Sequence, residues 1–275
     1  MEAVVEVSSR GLPLCFLPQP MAGLSGPITL TGTLTLHNAE VLSGVVISQV
    51  VRPGTPNVYG GAWTTFDMRR GTAVISRPEA ALMRIAGAQL ARHYHLPSHC
   101  IGPDTDAHAH DEQQGWEKLL TLLAAFQGGV DLVVNAGMFA TGMTVSQAQL
   151  LLDDELAGIC QRFMSGIRVD AESIASEVMA SVGPRGSYLM EEHTLRHLRG
   201  DPKGGVPAEH FTPLRSCAEP FGPWHERGGP TVDQLAFRQA ARLLLEHVPA
   251  PLPASTLAAL EARLAKAEEE LSARS

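Results

Sequence analysis

The chain has 275 residues, a formal net charge of −8, 44% hydrophobic residues and four scattered cysteines, Cys15, Cys100, Cys160 and Cys217. The acidic balance and the lack of any basic run argue against a nucleic-acid surface, which needs clustered Lys and Arg to face phosphates. The absence of a C-x-x-C pair points to reduced structural thiols in a cytoplasmic protein, and the length suits one large α/β domain with a substantial core.

The N-terminus has no basic segment followed by an apolar one, so no secretory signal is expected. The nearest apolar stretch to a membrane span, Val41 to Val51, is too short. A first short strand is predicted at Leu14–Leu17, ending at Pro18. A mostly apolar helix follows over about Thr31 to Val51, closed by Arg52-Pro-Gly54. A second strand reads at Asn57–Tyr59, then Gly60-Gly61 and a Thr-rich loop. Pro78 opens a second helix to about Tyr94. The third strand is Ser98–Ile101, stopped by Gly102-Pro103. The next helix places Trp116, Leu119, Leu120 and Leu123 on one face by their spacing, which predicts core packing for Trp116. A fourth strand spans Asp131–Asn135. Ser146 is placed at the N-cap of a helix with Ala148, Leu152, Leu156, Ile159 and Phe163 on one face.

Strand, loop and helix repeated four times predict βαβ units and a parallel sheet. Beyond Gly166 the reading is a helix at Ala171–Ser181, a polar helix at 191–199, an irregular stretch at 200–230, an amphipathic helix at Val232–Glu246 and a last helix capped by Ser255. Its side carries Leu257, Leu260 and Leu264. The expected organisation is a single domain, with a barrel portion over about 1–168 and a helical extension over about 169–275.

Functional groups in parallel α/β folds gather where strands end. These positions give Gln19; Tyr59 with Gly60 and Gly61; Asp104, Thr105, Asp106, His108 and His110; and Asn135 with Gly137 and Met138. The loop Asp104–Asp111 is the most concentrated of them. Asp111 also suits a helix N-terminus, where a carboxylate is favoured. His108-x-His110 has the spacing of a metal pair, yet no later strand supplies the remaining ligands, so no metal is assigned. Trp63 and Phe66 follow a strand and can present ring faces to a cationic substrate. No phosphate-cradling or nucleophile-elbow motif occurs.

The segments Thr29–Leu42, Thr105–Lys118, Asp153–Glu155, Glu192–Thr194 and the stretch from Trp224 to Leu252 together resemble the trimethylamine methyltransferase family and its glycine-betaine relatives. The resemblance implies a (β/α)8 TIM barrel, of which about four βα units are visible here. It implies transfer of a methyl group from a methylated, quaternary amine to the cobalt of a corrinoid carried by a separate corrinoid protein. The chain has no non-standard residue, which fits the non-pyrrolysine, betaine-like kind. Complete members carry a further N-terminal portion. The alternatives are therefore a split-barrel or catalytically inactive subunit that binds a partner, or a homo-oligomer; a metal-dependent barrel hydrolase stands behind them. Motif position assigns Thr105, Asp106 and His108 to catalysis. Tyr59, Trp63, Phe66, His110, Asn135 and Met138 are assigned to substrate binding. Neither nucleic acid nor membrane is expected as a partner.

Overall fold

Short runs of Val, Ile, Leu and aromatic residues, each ended by Gly or Pro, form the central strands of the computed structural model, which describes residues 1–200 and 208–273. A short helix α1 (Glu2–Ser9), which the sequence did not announce, precedes β1 (Leu14–Phe16) and β2 (Met21–Ala22). Then come α2 (Leu30–Val51), β3 (Asn57–Gly61), β4 (Thr64–Asp67), β5 (Thr72–Val74) and α3 (Pro78–His93). They are followed by β6 (Ser98–Ile101), α4 (Glu112–Gly128), β7 (Leu132–Val134), the hairpin strands β8 (Met138–Phe139) and β9 (Thr144–Val145), and α5 (Gln147–Met164).

The strands β1, β3, β6 and β7 make one four-stranded sheet in that order, parallel throughout. Tyr59 sits opposite both Phe16 and Ser98, and Cys100 opposite Val133. Helices α2, α3 and α4 make the crossovers that parallel pairing requires. This is the expected mixed α/β architecture. The sheet is open: β1 and β7 each have a neighbour on one side only, so the strands do not close into a barrel. The Thr-rich segment after Gly61 is not a loop. It forms β4 and β5, paired antiparallel, with β2 parallel to β4.

Helix α2 is long and apolar enough, by length and a mean hydropathy of 1.2, to cross a membrane, although His37 and Glu40 interrupt its apolar run. Here its buried side chains, His37, Val41 and Ser48 among them, face the protein. Val41 packs with Tyr59 and Ala91 under Phe16, Val45 and Tyr94. Gly44 permits this approach, because a Cβ there would stand 2.3 Å from the Phe16 ring. A second core cluster joins Trp63, Ala80 and Met83.

The expected helix at 171–181 is two helices, α6 (Ala171–Ile174) and α7 (Ser176–Val182), broken at Ala175, whose φ is +56°. Helix α8 (Glu192–Arg199) and the short α9 (Phe221–Glu226) follow. The irregular reading of 200–230 falls partly on 201–207, which lie outside the described residues. Helix α10 (Val232–Glu246) has the expected limits, and α11 (Ala254–Ser272) has Pro253 rather than Ser255 at its N-cap. The chain divides into two compact units, Met1–Phe237 and Arg238–Ser275.

Candidate functional site

The loop after β6 is fixed by a series of specific bonds. Asp104 is buried and pairs with the equally buried Arg84, whose Nε donates to the Ile101 carbonyl at 2.9 Å. Burial pushes the Asp104 carboxyl up, and the Arg84 charge pulls it back down. The Asp104 N–H donates to Thr121 Oγ1 at 2.9 Å. Glu117, one turn into α4, takes the Thr105 hydroxyl at 2.7 Å and the Asp106 N–H at 2.9 Å on a single carboxylate oxygen. Asp111 caps α4, accepting the Gln114 N–H at 3.2 Å, so its part is the helix-terminus one.

The Asp106 side chain is held by groups from two places. Its carboxylate accepts the N–H groups of Ile75 and Ser76, at 3.2 and 3.1 Å, and the Ser76 hydroxyl, all at the start of α3. It also accepts the Thr141 hydroxyl at 2.9 Å from the turn between β8 and β9. That turn is strained: Ala140 and Thr141 have φ of +49° and +58°, a left-handed conformation that costs of order 1–3 kcal/mol for a residue with a side chain. The loop holds it there, since Ala140 N–H donates to the Ala107 carbonyl at 3.0 Å and Thr141 N–H to the Thr105 carbonyl at 3.1 Å.

A cavity of about 670 Å³ opens between this loop, the β4–β5 hairpin and the N-terminal part of α4. Asp67, Asp106 and Glu117 line it with Arg77, His108 and Trp116. Arg77 and Arg70 both pair with Asp67, and Arg77 above all holds that carboxyl well below the usual range. Among the described residues, neither Asp106 nor Glu117 has a Lys or Arg ion-pair partner. Trp116 is 62% exposed. The cavity therefore presents two carboxylates outside any ion pair, an indole ring, and the guanidinium groups of Arg70 and Arg77, both paired with Asp67.

A second network lies on the other side of α4. Lys118 is buried, donating to Asp153 of α5 at 2.9 Å and to the Pro103 carbonyl at 3.1 Å. Asp153 also accepts the Gly137 N–H at 2.6 Å and the Gln149 amide at 2.7 Å. Burial raises the Asp153 carboxyl and lowers the Lys118 ammonium, each opposed by the other's charge. A cleft of about 570 Å³ beside it is lined mainly by apolar side chains, Leu122, Phe126, Val133 and Leu150 among them, with Asp131, Asp153 and Asp154 also on its wall.

The family profile described as trimethylamine methyltransferase (MTTB) matches residues 1–272. The chain belongs to the trimethylamine methyltransferase family. It is 34% identical over 269 residues to trimethylamine methyltransferase MttB of Desulfitobacterium hafniense, covering 98% of this chain and 52% of that protein. It is 34% identical over 268 residues to the MttB of Methanosarcina barkeri, covering 98% of this chain and 52% of that one. The glycine betaine methyltransferase of D. hafniense is 35% identical over 270 residues, covering 98% of this chain and 54% of that protein. The chain thus spans about half the length of the curated relatives it matches.

Within this member of the trimethylamine methyltransferase family, the structure brings Asp106 and His108 to one cavity and sets Thr105 behind it, buried against Glu117. It does not bring the aromatic candidates there. Tyr59 is buried toward the helices, its hydroxyl donating to Asn38 at 3.1 Å. Trp63 is not in an open loop: it is 2% exposed, packed on His37 with ring centres 4.0 Å apart. Phe66 lies in β4, half-buried, and is not among the lining side chains. His110 packs edge-on between Phe139 and Phe237, at 4.6 and 5.0 Å, and burial lowers its pKa. Asn135 follows β7 with φ of +80°, and Met138 begins the hairpin; neither lines the cavity. Among the described residues no three His, Cys, Asp or Glu converge as a metal-holding group.

Sequence reasoning missed Glu117, Gln113, Thr141, Asp67 and Arg77, and placed Trp116 in the core. Glu117 had a signal. It stands in the same resembling segment as Asp106, at the spacing that puts the first turns of α4 over its preceding loop.

Proposed function

We propose that this cavity binds a methylated ammonium compound, of the quaternary kind, and that the chain takes part in moving one of its methyl groups to the cobalt of a corrinoid held by a separate protein. The observation that carries this reading is the pairing of two carboxylates, Asp106 and Glu117, without cationic partners, and the exposed Trp116 ring at one cavity. Ring faces and carboxylates are what a methylated ammonium head needs, since it offers positive charge and methyl groups but no N–H donor. The names of the relatives, trimethylamine and glycine betaine methyltransferase, support the substrate class.

In this reading Asp106 and Glu117 hold the ammonium electrostatically, and the Trp116 ring packs on its methyl groups. Thr105 is a positioning residue, acting through Glu117. His108, exposed at the rim, orients the head group. The C–N bond breaks with its electron pair left on nitrogen, so the leaving group is a neutral tertiary amine and needs no proton from the protein. When bound to its own protein, the corrinoid supplies reduced cobalt as the methyl acceptor. The open rim, with His108 and Trp116 exposed, fits an acceptor delivered from outside. Work of this kind is positioning and electrostatics. The location fitting such an exchange is the cytoplasm.

The four parallel strands are half of the eight that close a barrel of this type. We infer that residues 1 to about 168 are the half-barrel, with a helical extension after it. The two unpaired sheet edges favour a second reading, in which the site is complete only with further βα units.

The test is methyl transfer from glycine betaine and from trimethylamine to free cob(I)alamin, followed by absorbance, with the chain alone and with the first half of the D. hafniense glycine betaine methyltransferase added. Transfer by the chain alone supports the first reading, and transfer only after addition supports the second. No transfer in either arm, with no binding of either amine by calorimetry, overturns the proposed substrate class.

A further inference from the structure

Helix α11 carries a pattern that nothing in the methyl-transfer reading uses. Leu257, Leu260, Leu264, Ala267 and Leu271 recur at alternating steps of three and four, the a and d positions of consecutive heptads. A seam of this kind is apolar because it faces another helix. Yet no residue of α11 is buried, and its four seam leucines are 48%, 51%, 63% and 68% exposed.

We propose that α11 pairs in parallel and in register with α11 of a second copy of this chain, making a short two-stranded coiled coil. The flanking charges select this occupant and this direction. Counting Leu257 as a, the e positions are Glu261 and Glu268 and the g position between them is Arg263. In a parallel pair, each g residue faces the e residue of the next heptad across the seam. Arg263 then meets Glu268 of the partner subunit, and by symmetry the contact occurs twice. An antiparallel pair sets Arg263 beside Glu270 of the partner subunit but also Glu261 beside Glu268 of the partner subunit, like against like, a repulsion that the parallel pair avoids. Glu270 is taken up within its own helix by Lys266 at 3.8 Å, whereas Arg263 and Glu268 have no ion pair there among the described residues. The helix is 19 residues long, so the seam runs little over two heptads. Ala267 leaves its d layer thin. Association is therefore weak and concentration-dependent.

Sedimentation velocity on the full chain over a wide concentration range tests this. The expected result is a reversible monomer–dimer equilibrium. Ala267→Leu, which fills the thin layer at an exposed position, tightens it, and Arg263→Glu weakens it roughly tenfold by turning two attractions into repulsions. Adding Glu268→Arg to Arg263→Glu restores the original equilibrium. These variants alter exposed side chains only, so circular dichroism unchanged from the parent confirms that they fold. A chain that stays monomeric at every concentration, with and without Ala267→Leu, overturns the proposal. So does a dimer whose dissociation constant ignores all three changes.

Discussion

Glu117 holds the loop at two points with one oxygen, and its second oxygen takes the Gln113 amide at 2.9 Å. Its charge thus shapes the backbone around Asp106 as well as the cavity. Glu117→Gln keeps the shape of the side chain but removes the charge. It is expected to weaken binding of a quaternary ammonium by roughly tenfold, in the range of one charge-assisted contact, while thermal stability falls only slightly. Calorimetric titration with glycine betaine beside a melting curve separates the two effects. His37 provides a second test at this scale. Buried, with Nε2 at 2.8 Å from the Gly60 carbonyl, it is pushed down to about 4 by burial. Its folded value lies below the unfolded one near 6.5, so the unfolded chain binds more protons between the two. Its contribution is fully present above pH 6.5 and is lost as the pH falls toward 4, to the extent of up to about 3 kcal/mol. Urea unfolding at neutral and mildly acidic pH should show that loss, and His37→Gln should flatten it.

Among the elements, α4 joins the two networks through neighbours in sequence: Glu117 reaches the loop and Lys118 reaches Asp153 of α5. Lys118→Met leaves the Asp153 carboxylate buried without its cation and is expected to cost about 3–5 kcal/mol of stability. The double variant Lys118→Met with Asp153→Leu should recover part of that loss, since no lone charge remains, though the Gly137 N–H is left bare. Chemical denaturation of the three proteins settles the ordering; a double variant less stable than the single one contradicts it. This helix also shows why its sequence misled. Spacing placed Trp116, Leu119 and Leu120 inward, yet all three are exposed and the buried face holds Gln114, Lys118 and Thr121. Polar side chains with assigned buried partners look solvent-facing in a sequence, because their partners lie 15 to 35 positions away. A similar reversal occurs in α5, where Asp153 and Glu155 are buried and Phe163 is exposed. The elements whose signals are local were legible: Ser98–Ile101 ends at Gly-Pro, Pro78 opens α3, and Ser146 caps α5 by accepting the Gln149 N–H at 3.3 Å. Strands β4 and β5 were not, because their short Thr-bearing segments are strands only through the neighbours they pair with.

For the whole molecule, the open sheet is the dominant fact. The edge strand β7 carries Leu132, 52% exposed, beside unpaired backbone groups. Such an edge templates intermolecular pairing, and natural proteins blunt it with charge. Leu132→Lys is expected to slow aggregation on heating, read as delayed onset of light scattering, with little change in the unfolding midpoint. An unchanged onset would show that another surface governs aggregation. The four strands of the main sheet and their parallel pairing followed from the repeat of strand and helix in the sequence. Whether the ends of the sheet meet did not, because closure depends on how many units there are, which no single unit encodes.

The position of Trp116 also gives the chain its own optical probe. Of its three tryptophans, Trp63 is sealed in the core and Trp224 bonds its indole N–H to the Pro230 carbonyl at 3.1 Å, while Trp116 alone stands at the cavity rim. Emission from Trp63 forms a steady background, and the half-buried Trp224 adds a part that does not depend on the cavity. The red-edge component, the part an aqueous quencher reaches, comes chiefly from the third. A cation settling on that ring would shield it from iodide, so occupancy of the cavity can be followed by light in the unlabelled protein, without any turnover.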